Sequence, residues 1–372
     1  MASPHSDFLH HFSVIRDPRI DRTKLHPLNN ILFIALCAVI SGAESWGEME
    51  TFGENKKVWL SKYLDLAHGI PSHDTFARVF AQLDPREFQK GFLSWIQSVY
   101  QKTQGEIISI DGKTLRRSHD ASKAQEPLHL ISAWADANHL VLGQLKSEGK
   151  TNEILSIPKL LDILDLTGCI VTLDAMGTQK EIARKIQDKK ADYVLALKAN
   201  HGLLPQDVQH YWLDPSLPAS EYDLYETTEK DHGRIEIRRY KITSAISWLQ
   251  PRTDWAGLKS IGIVESQRIF KNHSTTETRF FLTTLKSNAK EFAKAVRAHW
   301  EIENTLHWSL DVCFREDQSR ARIKFSAENF AALRRLALNI LKKETSSKSS
   351  LNVKRLQAAL NDAYLDSLLS IN

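Results

Sequence analysis

Two short apolar runs in this chain each end in an aspartate, and they constrain its fold more than any other feature. Asp111 ends the run 107–110, and Asp174 ends the run 169–173. Both runs have the length and the apolar character of buried strands. A carboxylate at the end of a buried strand loses hydration, so it needs a compensating cation or hydrogen-bond donor. A single aspartate there is often only a turn residue, but a pair on adjacent strands indicates a functional site.

The order of the elements around the two aspartates predicts the fold. Three antiparallel strands followed by helix, strand, helix and strand is the order of an RNase H-like core, an α/β fold whose mixed sheet is flanked by helices. In that order the first and fourth strands lie side by side, so the sequence predicts that Asp111 and Asp174 are neighbours. The predicted strands are 106–111, 129–136, 139–146, 169–174 and 192–197, and the predicted helices are 152–164 and 178–188.

The remaining regions predict further domains. Residues 1–104 have a helical pattern, in which Pro27 begins an apolar helix that ends at Ile40. Between Pro205 and Lys286 the helical periodicity disappears, and strand-like runs at 234–240, 260–265 and 278–283 predict an all-β insertion. The predicted division is a helical domain (1–104), the first part of the core (105–204), the β insertion (205–287), the second part of the core (288–343), and a Ser/Lys-rich linker with one short helix (344–372).

Composition excludes several classes of protein. With 42% hydrophobic and 25% charged residues, the 372-residue chain is typical of a globular protein with more than one domain. The net charge is +4, and the segment 315–355 holds eleven Lys or Arg against four Asp or Glu, which is compatible with a polyanionic partner. The three cysteines form no CxxC pair, which argues against structural zinc and disulfides and favours a reducing cytoplasm. The most apolar segment, 31–43, is too short to cross a bilayer, so no membrane association is expected.

A third acidic residue, Glu303, lies in a stretch with helical character. His299, Glu303 and His307 are spaced four residues apart, which predicts one polar face of a helix, while Ile302 and Leu306 point elsewhere. Taken alone, a glutamate on a helix is usually solvated, so Glu303 is a weaker candidate than the two aspartates. The spacing also admits a zinc site, although the His-Glu-x-x-His signature of zinc hydrolases is absent.

Three carboxylates provide the hard oxygen ligands that Mg²⁺ prefers. Two such ions about 4 Å apart stabilise both the attacking and the leaving oxygen of an in-line displacement on phosphorus, so no protein nucleophile is needed. The chain agrees with this chemistry, because it contains no Gly-x-Ser-x-Gly elbow, no Walker phosphate loop and no Cys–His pair in a recognisable context.

Motifs along nearly the whole chain resemble those of the H-repeat-associated (Rhs-element-linked) DDE transposases of bacterial insertion sequences, which have an RNase H-like core interrupted by a β domain. The matching motifs are Asp17-Pro18-Arg19, His26-Pro27-Leu28, Gly69-Ile70-Pro71-Ser72-His73-Asp74-Thr75-Phe76, Ile110-Asp111-Gly112-Lys113, Leu173-Asp174-Ala175-Met176, Ala196-Leu197-Lys198-Ala199-Asn200-His201, His232-Gly233-Arg234, and the run from His299 to Trp308.

The resemblance implies a metal-dependent enzyme that cuts DNA at insertion-sequence ends and transfers the strand. It implies Asp111, Asp174 and Glu303 as catalytic residues and ligands of Mg²⁺, for which Mn²⁺ can substitute. It further implies that the helical region 1–104 helps to bind double-stranded DNA ends, that two copies of the chain act together on DNA, and that the protein is cytoplasmic and associated with the bacterial nucleoid.

This chain departs from the wider superfamily around Glu303. The superfamily places a Tyr, an Arg and a Lys near the catalytic Glu, and these positions hold Val296, His299 and Leu310 here. The roles of the missing Arg and Lys must therefore fall to other residues. The candidates are His299, His307 and Arg320.

Several basic residues are candidates for contact with the DNA backbone. They follow the strand ends, lie in the β insertion or lie in the C-terminal basic tract, where one helix face is expected to pack and the other to face phosphate. Trp300 and Trp308 are expected to pack in the core. The DNA-contact candidates are Lys113, Arg116, Arg117, Lys198, Arg234, Arg238, His299, His307, Arg320 and Arg322, and the tract also includes Lys324, Arg334 and Arg335.

Three other functions are compatible with the same residues. A transposase-derived protein that binds DNA without cutting it would keep the end recognition and lose metal-dependent nicking. A general RNase H-like nuclease would cleave without preference for element ends. Zinc-dependent hydrolysis would require stoichiometric zinc in the purified protein.

Overall fold

The structure is a computed structural model that describes residue 8 and residues 10–119, 126–149, 152–198, 202–231 and 233–370. The motif residues Ala199, Asn200, His201 and His232, and the expected helix start at Asp7, lie outside the described residues.

The described elements follow the predicted order closely. The helices are α1 (Leu28–Ile40), α2 (Trp46–Asn55), α3 (Lys57–Leu60), α4 (His73–Gln82), α5 (Pro85–Val99), α6 (Glu153–Asp162), α7 (Lys180–Asp188), α8 (Leu204–Leu213), α9 (Ala289–Glu301), α10 (Trp308–Val312), α11 (Ser326–Lys343), α12 (Leu351–Leu360) and α13 (Asp362–Leu369), with a π-helix at Ile302–His307. The strands are β1 (Ile107–Thr114), β2 (His129–Ala135), β3 (Leu140–Ser147), β4 (Ile170–Leu173), β5 (Asp192–Leu197), β6 (Asp223–Asp231), β7 (Arg234–Thr243), β8 (Ser260–Ile269) and β9 (Ser274–Thr283).

The chain divides into two compact units. Unit 1 comprises residues 1–101, 112–150 and 303–372, and unit 2 comprises residues 102–111 and 151–302. Strand β1 therefore begins in unit 2 and ends in unit 1. The five-part division expected from the sequence remains a prediction.

Unit 1 is built around helix α11, which is buried along nearly its whole length. Two asparagine side chains on this helix form hydrogen bonds with backbone groups of other elements. The Asn339 side chain accepts from the Val141 N–H and donates to its carbonyl, both at 2.9 Å, and Asn329 donates to the carbonyls of Phe80 and Leu83. Strands β2 and β3 pair antiparallel, which confirms the predicted hairpin.

Unit 2 contains a mixed sheet with the strand order β1-β4-β5-β9-β8-β7-β6. Strands β1, β4 and β5 are parallel, whereas β9, β8, β7 and β6 follow as an antiparallel series. Helix α9 covers this sheet, and its Phe292 packs among buried side chains from β1, β7 and β9, including Ile107, Tyr240 and Phe281. The predicted mixed α/β fold, with β1 beside β4 as in an RNase H-like core, is confirmed.

Three elements differ from the expectation. Helix α8 lies inside the region predicted to contain only strands, and β6 was missed. Among the described strands β6 is the last in the order of unit 2 and pairs on one side only. Its DLYETTEKD sequence shows little of the apolar alternation that marks a half-buried strand. The expected single C-terminal helix is two helices, because Asn361 ends α12 and caps α13 by accepting from the Tyr364 N–H.

Within the described part of the chain, no helix combines the length and the apolar character that a membrane span requires.

Candidate active site at the strand ends of unit 2

The register of two parallel strands places Asp111 and Asp174 at the same edge of the sheet. Ser109 pairs with Thr172, and Ile110 pairs with Leu173. Asp111 and Asp174 are the next residues along the chain, Asp111 within β1 and Asp174 directly after β4, and both are partly buried. Since carboxyl ends of parallel strands meet at one edge, the predicted proximity of the two aspartates follows from the register.

The turn after β4 fixes the Asp174 carboxylate. Its Oδ1 accepts hydrogen bonds from the backbone N–H groups of Met176 and Gly177, both at 3.0 Å. The Thr178 hydroxyl closes the turn against the carbonyls of Asp174 and Ala196. Both backbone N–H bonds end on Oδ1, so Oδ2 takes part in neither.

Helix α9 covers the face of the sheet on which the aspartates lie. The Ser109 hydroxyl donates to the Ala298 carbonyl at 3.1 Å, and the Thr172 hydroxyl donates to Ser109 Oγ at 3.0 Å. Alternate residues of a strand point to the same face. Ser109 and Asp111 therefore share a face, and Thr172 and Asp174 share it too.

His299, on α9, contacts Thr172. Its Nδ1 lies 3.0 Å from Thr172 Oγ1. Burial lowers the pKa of His299 to about 4, with a contribution from the positive charge of Arg279, against the opposing effect of the Asp174 carboxylate. The imidazole is therefore neutral near pH 7.

Ser109 and Thr172 were missed by the sequence reasoning, although a signal was present. Each is a polar residue inside an apolar run, and each lies two positions before its aspartate. With a period of two, that position identifies the residue that shares a face with the carboxylate.

Glu303 lies on the π-helix Ile302–His307, in unit 1, and its side chain is exposed. Ile302 and Leu306 are fully buried, as expected for the opposite side of this segment. The segment expected to be a regular α-helix is π-helical from Ile302 to His307, where the hydrogen bonds join residues five apart. π-helical turns inside α-helices often mark functional sites.

Lys113 and the C-terminal arginines form a buried charge cluster in unit 1. Lys113, which is 7% exposed, lies 2.7 Å from Asp311 and 2.9 Å from Asp317. Arg334 and Arg335 are fully buried in α11, so the prediction that this helix turns a basic face to phosphate is wrong for both residues. Lys113 is likewise engaged by carboxylates and does not offer its charge at the surface.

The other candidate DNA contacts in unit 1 differ in exposure. Arg116, Arg117 and Arg320 are exposed, whereas Arg322 is half-buried and donates to the Arg117 carbonyl at 2.9 Å. His307 is half-buried on the π-helix.

In unit 2, Lys198 is exposed after β5, and Arg234 is half-exposed at the start of β7. Arg238 is almost fully buried and paired with Glu229 and Glu236, each at 2.8 Å.

The two tryptophans near Glu303 do not share one environment. Two guanidinium groups lie over the Trp300 ring, with Arg279 4.6 Å and Arg238 5.3 Å from its centroid. Trp308 is 55% exposed, so the expectation that it packs in the core is wrong. Its helix, α10, turns the buried Ser309 and Leu310 inward instead.

The donor chemistry of the strand ends suits a divalent cation, because carboxylate oxygens are hard ligands. Across the described residues, however, no group of three or more His, Cys, Asp or Glu side chains is arranged to hold a metal ion. The metal-binding triad of Asp111, Asp174 and Glu303 stays a prediction.

Comparison with known proteins identifies the family. The family described as "Transposase DDE domain" matches residues 102–340, and the family described as "DDE_Tnp_1-associated" matches residues 9–96. The "Putative transposase YncI" of Escherichia coli O157:H7 is 42% identical over 97% of this chain and 94% of its own length. The "H repeat-associated putative transposase YhhI" of Escherichia coli K12 is 40% identical over 97% of both chains.

Among solved structures, a piggyBac transposase synaptic complex with hairpin DNA aligns over 99% of this chain and 81% of that chain, with a TM-score of 0.45 and 11% identity. The family match spans well over half of the chain, and the two bacterial relatives match it almost from end to end. This protein belongs to the transposase DDE domain family.

Proposed function

We propose that this protein is a transposase that cuts DNA at the ends of an insertion sequence and transfers the strand, by in-line attack of water or a 3′-hydroxyl on phosphodiesters. Asp111, Asp174 and Glu303 are the proposed catalytic residues and Mg²⁺ ligands, and Mn²⁺ is able to substitute. The carrying observation is that Asp111 and Asp174 follow directly on paired residues of two parallel strands, inside the region that matches the transposase family.

When bound, the metal would stabilise charge on the attacking and leaving oxygens of the phosphodiester. The protein residues would position the metal and the DNA. The turn after β4 holds Asp174 through two backbone N–H groups, so this carboxylate does not need to reorganise when the cation arrives. Exposed basic side chains, among them Arg116 and Arg320, would contact the phosphate backbone and align the DNA.

The proposed partner is double-stranded DNA at the element ends, bound by two copies of the chain. A protein with this role would act in the bacterial cytoplasm, on the nucleoid. Both statements rest on the match to the family described as "Transposase DDE domain".

Cleavage of a duplex that carries the element ends, in the presence of Mg²⁺ or Mn²⁺, tests the proposal. We expect the parent to nick and join this DNA, and Asp111→Ala, Asp174→Ala and Glu303→Gln to fall to the level without metal. Glu301→Gln is the matched control, because Glu301 is an exposed glutamate two residues away and outside the proposed triad. Cleavage by Glu303→Gln at the parent rate would overturn the assignment of Glu303.

Other outcomes point to the rival functions. Specific binding of the end sequences without cleavage by the parent would favour a DNA-binding protein that no longer cuts. Equal cleavage of unrelated duplexes would favour a general nuclease. Electron paramagnetic resonance measures Mn²⁺ binding to the parent and to Asp111→Ala. This measurement distinguishes a variant that no longer binds the metal from one that binds it but no longer cleaves DNA.

A further inference from the structure

A short chain of hydroxyl groups in unit 2 determines which nitrogen of His299 carries a proton. The chain starts at the Ala298 carbonyl, which can only accept, so the Ser109 hydroxyl must donate to it. Ser109 has one hydroxyl proton, so its oxygen accepts from the Thr172 hydroxyl, 3.0 Å away. The Thr172 proton is thereby used as well. The remaining 3.0 Å contact, between Thr172 Oγ1 and His299 Nδ1, is satisfied only if Nδ1 is the donor.

The second nitrogen of the ring follows from the first. A neutral imidazole has one N–H and one lone pair. Because burial keeps His299 neutral and Nδ1 holds the proton, Nε2 carries the lone pair. Among the described residues, Nε2 makes no hydrogen bond to a protein group, and the side chain is only half-buried. A hydrogen-bond donor from outside the protein can therefore reach it.

The surroundings of His299 place this acceptor beside the proposed chemistry. The Asp174 carboxylate is close enough to affect the imidazole electrostatically. Thr172, which anchors the ring, shares a sheet face with Asp174 two residues later. In this tautomer His299 presents a hydrogen-bond acceptor at Nε2.

We propose that His299 accepts, at Nε2, a hydrogen bond from the O–H of the attacking water or 3′-hydroxyl and so orients this nucleophile toward the phosphodiester. Ala298, Ser109 and Thr172 are positioning groups, since they hold the imidazole in the required tautomer without touching DNA. The role in the reaction rests on the proposed transposase function, but the tautomer does not.

The tautomer is measured directly by long-range ¹H–¹⁵N correlation spectra of the full-length protein labelled at histidine. The His299 signals are assigned by their loss in His299→Asn. We expect Nδ1 to have the shift of a protonated nitrogen and Nε2 that of an unprotonated one near pH 7. Thr172→Val should remove this preference, whereas Thr172→Ser, which keeps the hydroxyl, should retain it. A protonated Nε2 in the parent would overturn the inference.

Two amide variants, each of which replaces one nitrogen of the imidazole, test the role of Nε2 in cleavage. In His299→Asn the amide nitrogen occupies the Nδ1 position and still donates to Thr172, but nothing replaces Nε2. In His299→Gln the amide oxygen reaches the Nε2 position and can accept. We expect Asn to lower the cleavage rate roughly a hundredfold and Gln by clearly less, because a misplaced nucleophile costs about that factor.

Thermal denaturation checks that both variants are folded. If His299→Asn is then as active as His299→Gln, or more active, His299 does not orient the nucleophile through Nε2. A parent that shows the expected tautomer but cleaves no DNA would instead count against the proposed function. The two failures are therefore distinguishable.

Discussion

The most heavily buried charges of unit 1 converge on one glutamate, Glu316. Its Oε1 lies 2.7 Å from Arg335 Nη1, and both side chains are 0% exposed. Lys113 lies 3.6 Å from its other oxygen. Breaking such a pair is costly, because the remaining charge stays buried without a partner.

We expect Glu316→Ala to lower the free energy of unfolding by about 3–5 kcal/mol, since Arg335 would keep its charge in a site without water. Urea denaturation followed by circular dichroism measures this change. Glu226→Ala is the control, because Glu226 pairs at 2.6 Å with Arg239 and both side chains are 45% exposed, so this substitution should change stability little. A similar, small effect of both substitutions would show that Glu316 does not anchor this cluster.

The same glutamate predicts a pH dependence. Burial raises the pKa of Glu316, but the charges of Arg335 and Lys113 outweigh burial and hold this pKa below its usual value of 4.5. A carboxyl whose pKa is lowered on folding stabilises the protein above the unfolded pKa and loses that contribution as the pH falls through the folded pKa. The stability difference between the parent and Glu316→Ala should therefore narrow below pH 4.5.

Residue-level sequence signals predicted the strand ends well and the burial of charge poorly. Asp111 and Asp174 were recognisable as a pair, because each ends an apolar run and the two runs were expected to form adjacent strands. Arg334 and Arg335 looked like surface residues because the sequence contains no local sign of Glu316, which lies 19 residues before Arg335 along the chain. For Trp308 the error was the opposite one: it was expected to be buried, because aromatic residues normally are, but it is exposed.

At the element scale, the position of α9 depends on a glycine in the sheet of unit 2. A Cβ atom added to Gly262 on β8 would lie 2.4 Å from the Phe292 ring of α9, far inside van der Waals contact. Phe292 itself is fully buried and packs edge-on against Phe281 and Tyr240. The absence of a side chain at residue 262 is what lets the helix approach the sheet here.

Gly262→Ala should therefore destabilise unit 2 by about 1–3 kcal/mol, the usual cost of overpacking a core. Adding Phe292→Leu to Gly262→Ala should recover part of this loss, because leucine lacks the ring carbons that the new methyl group would meet. Thermal unfolding of the parent, both single variants and the double variant gives a double-mutant cycle, which measures the interaction free energy between the two positions. Additive effects, without rescue, would show that the two residues do not share this contact.

Elements were predicted where packing imposes a period and missed where it does not. The core strands are buried on both faces and were identified by their continuous apolar runs, whereas α9 has one buried face and shows helical apolar spacing. Strand β6 is the last strand of the unit 2 sheet and has a polar sequence, so its pairing with β7 is visible only in the structure. The π-helix at Glu303 has no sequence signal of its own, because its buried residues Ile302 and Leu306 are four apart, as in an α-helix.

At the scale of the whole molecule, the charge available to DNA is smaller than the sequence suggests. The net charge is +4, and the basic tract holds much of the excess. Arg334 and Arg335 are buried, and so are Lys354 and Arg355 in α12. The exposed Arg320 and the half-buried Arg322 remain as the tract's proposed phosphate contacts.

DNA affinity measured against salt concentration tests this distinction. Each lost phosphate contact reduces the slope of log K against log salt by about 0.9. We expect this reduction for Arg320→Gln and again when Arg322→Gln is added. Arg184→Gln is the matched control, because Arg184 is exposed on α7, is not among the proposed phosphate contacts, and its substitution removes the same charge. An equal reduction in the control would mean that net charge, rather than contact with phosphate, accounts for the effect of the tract.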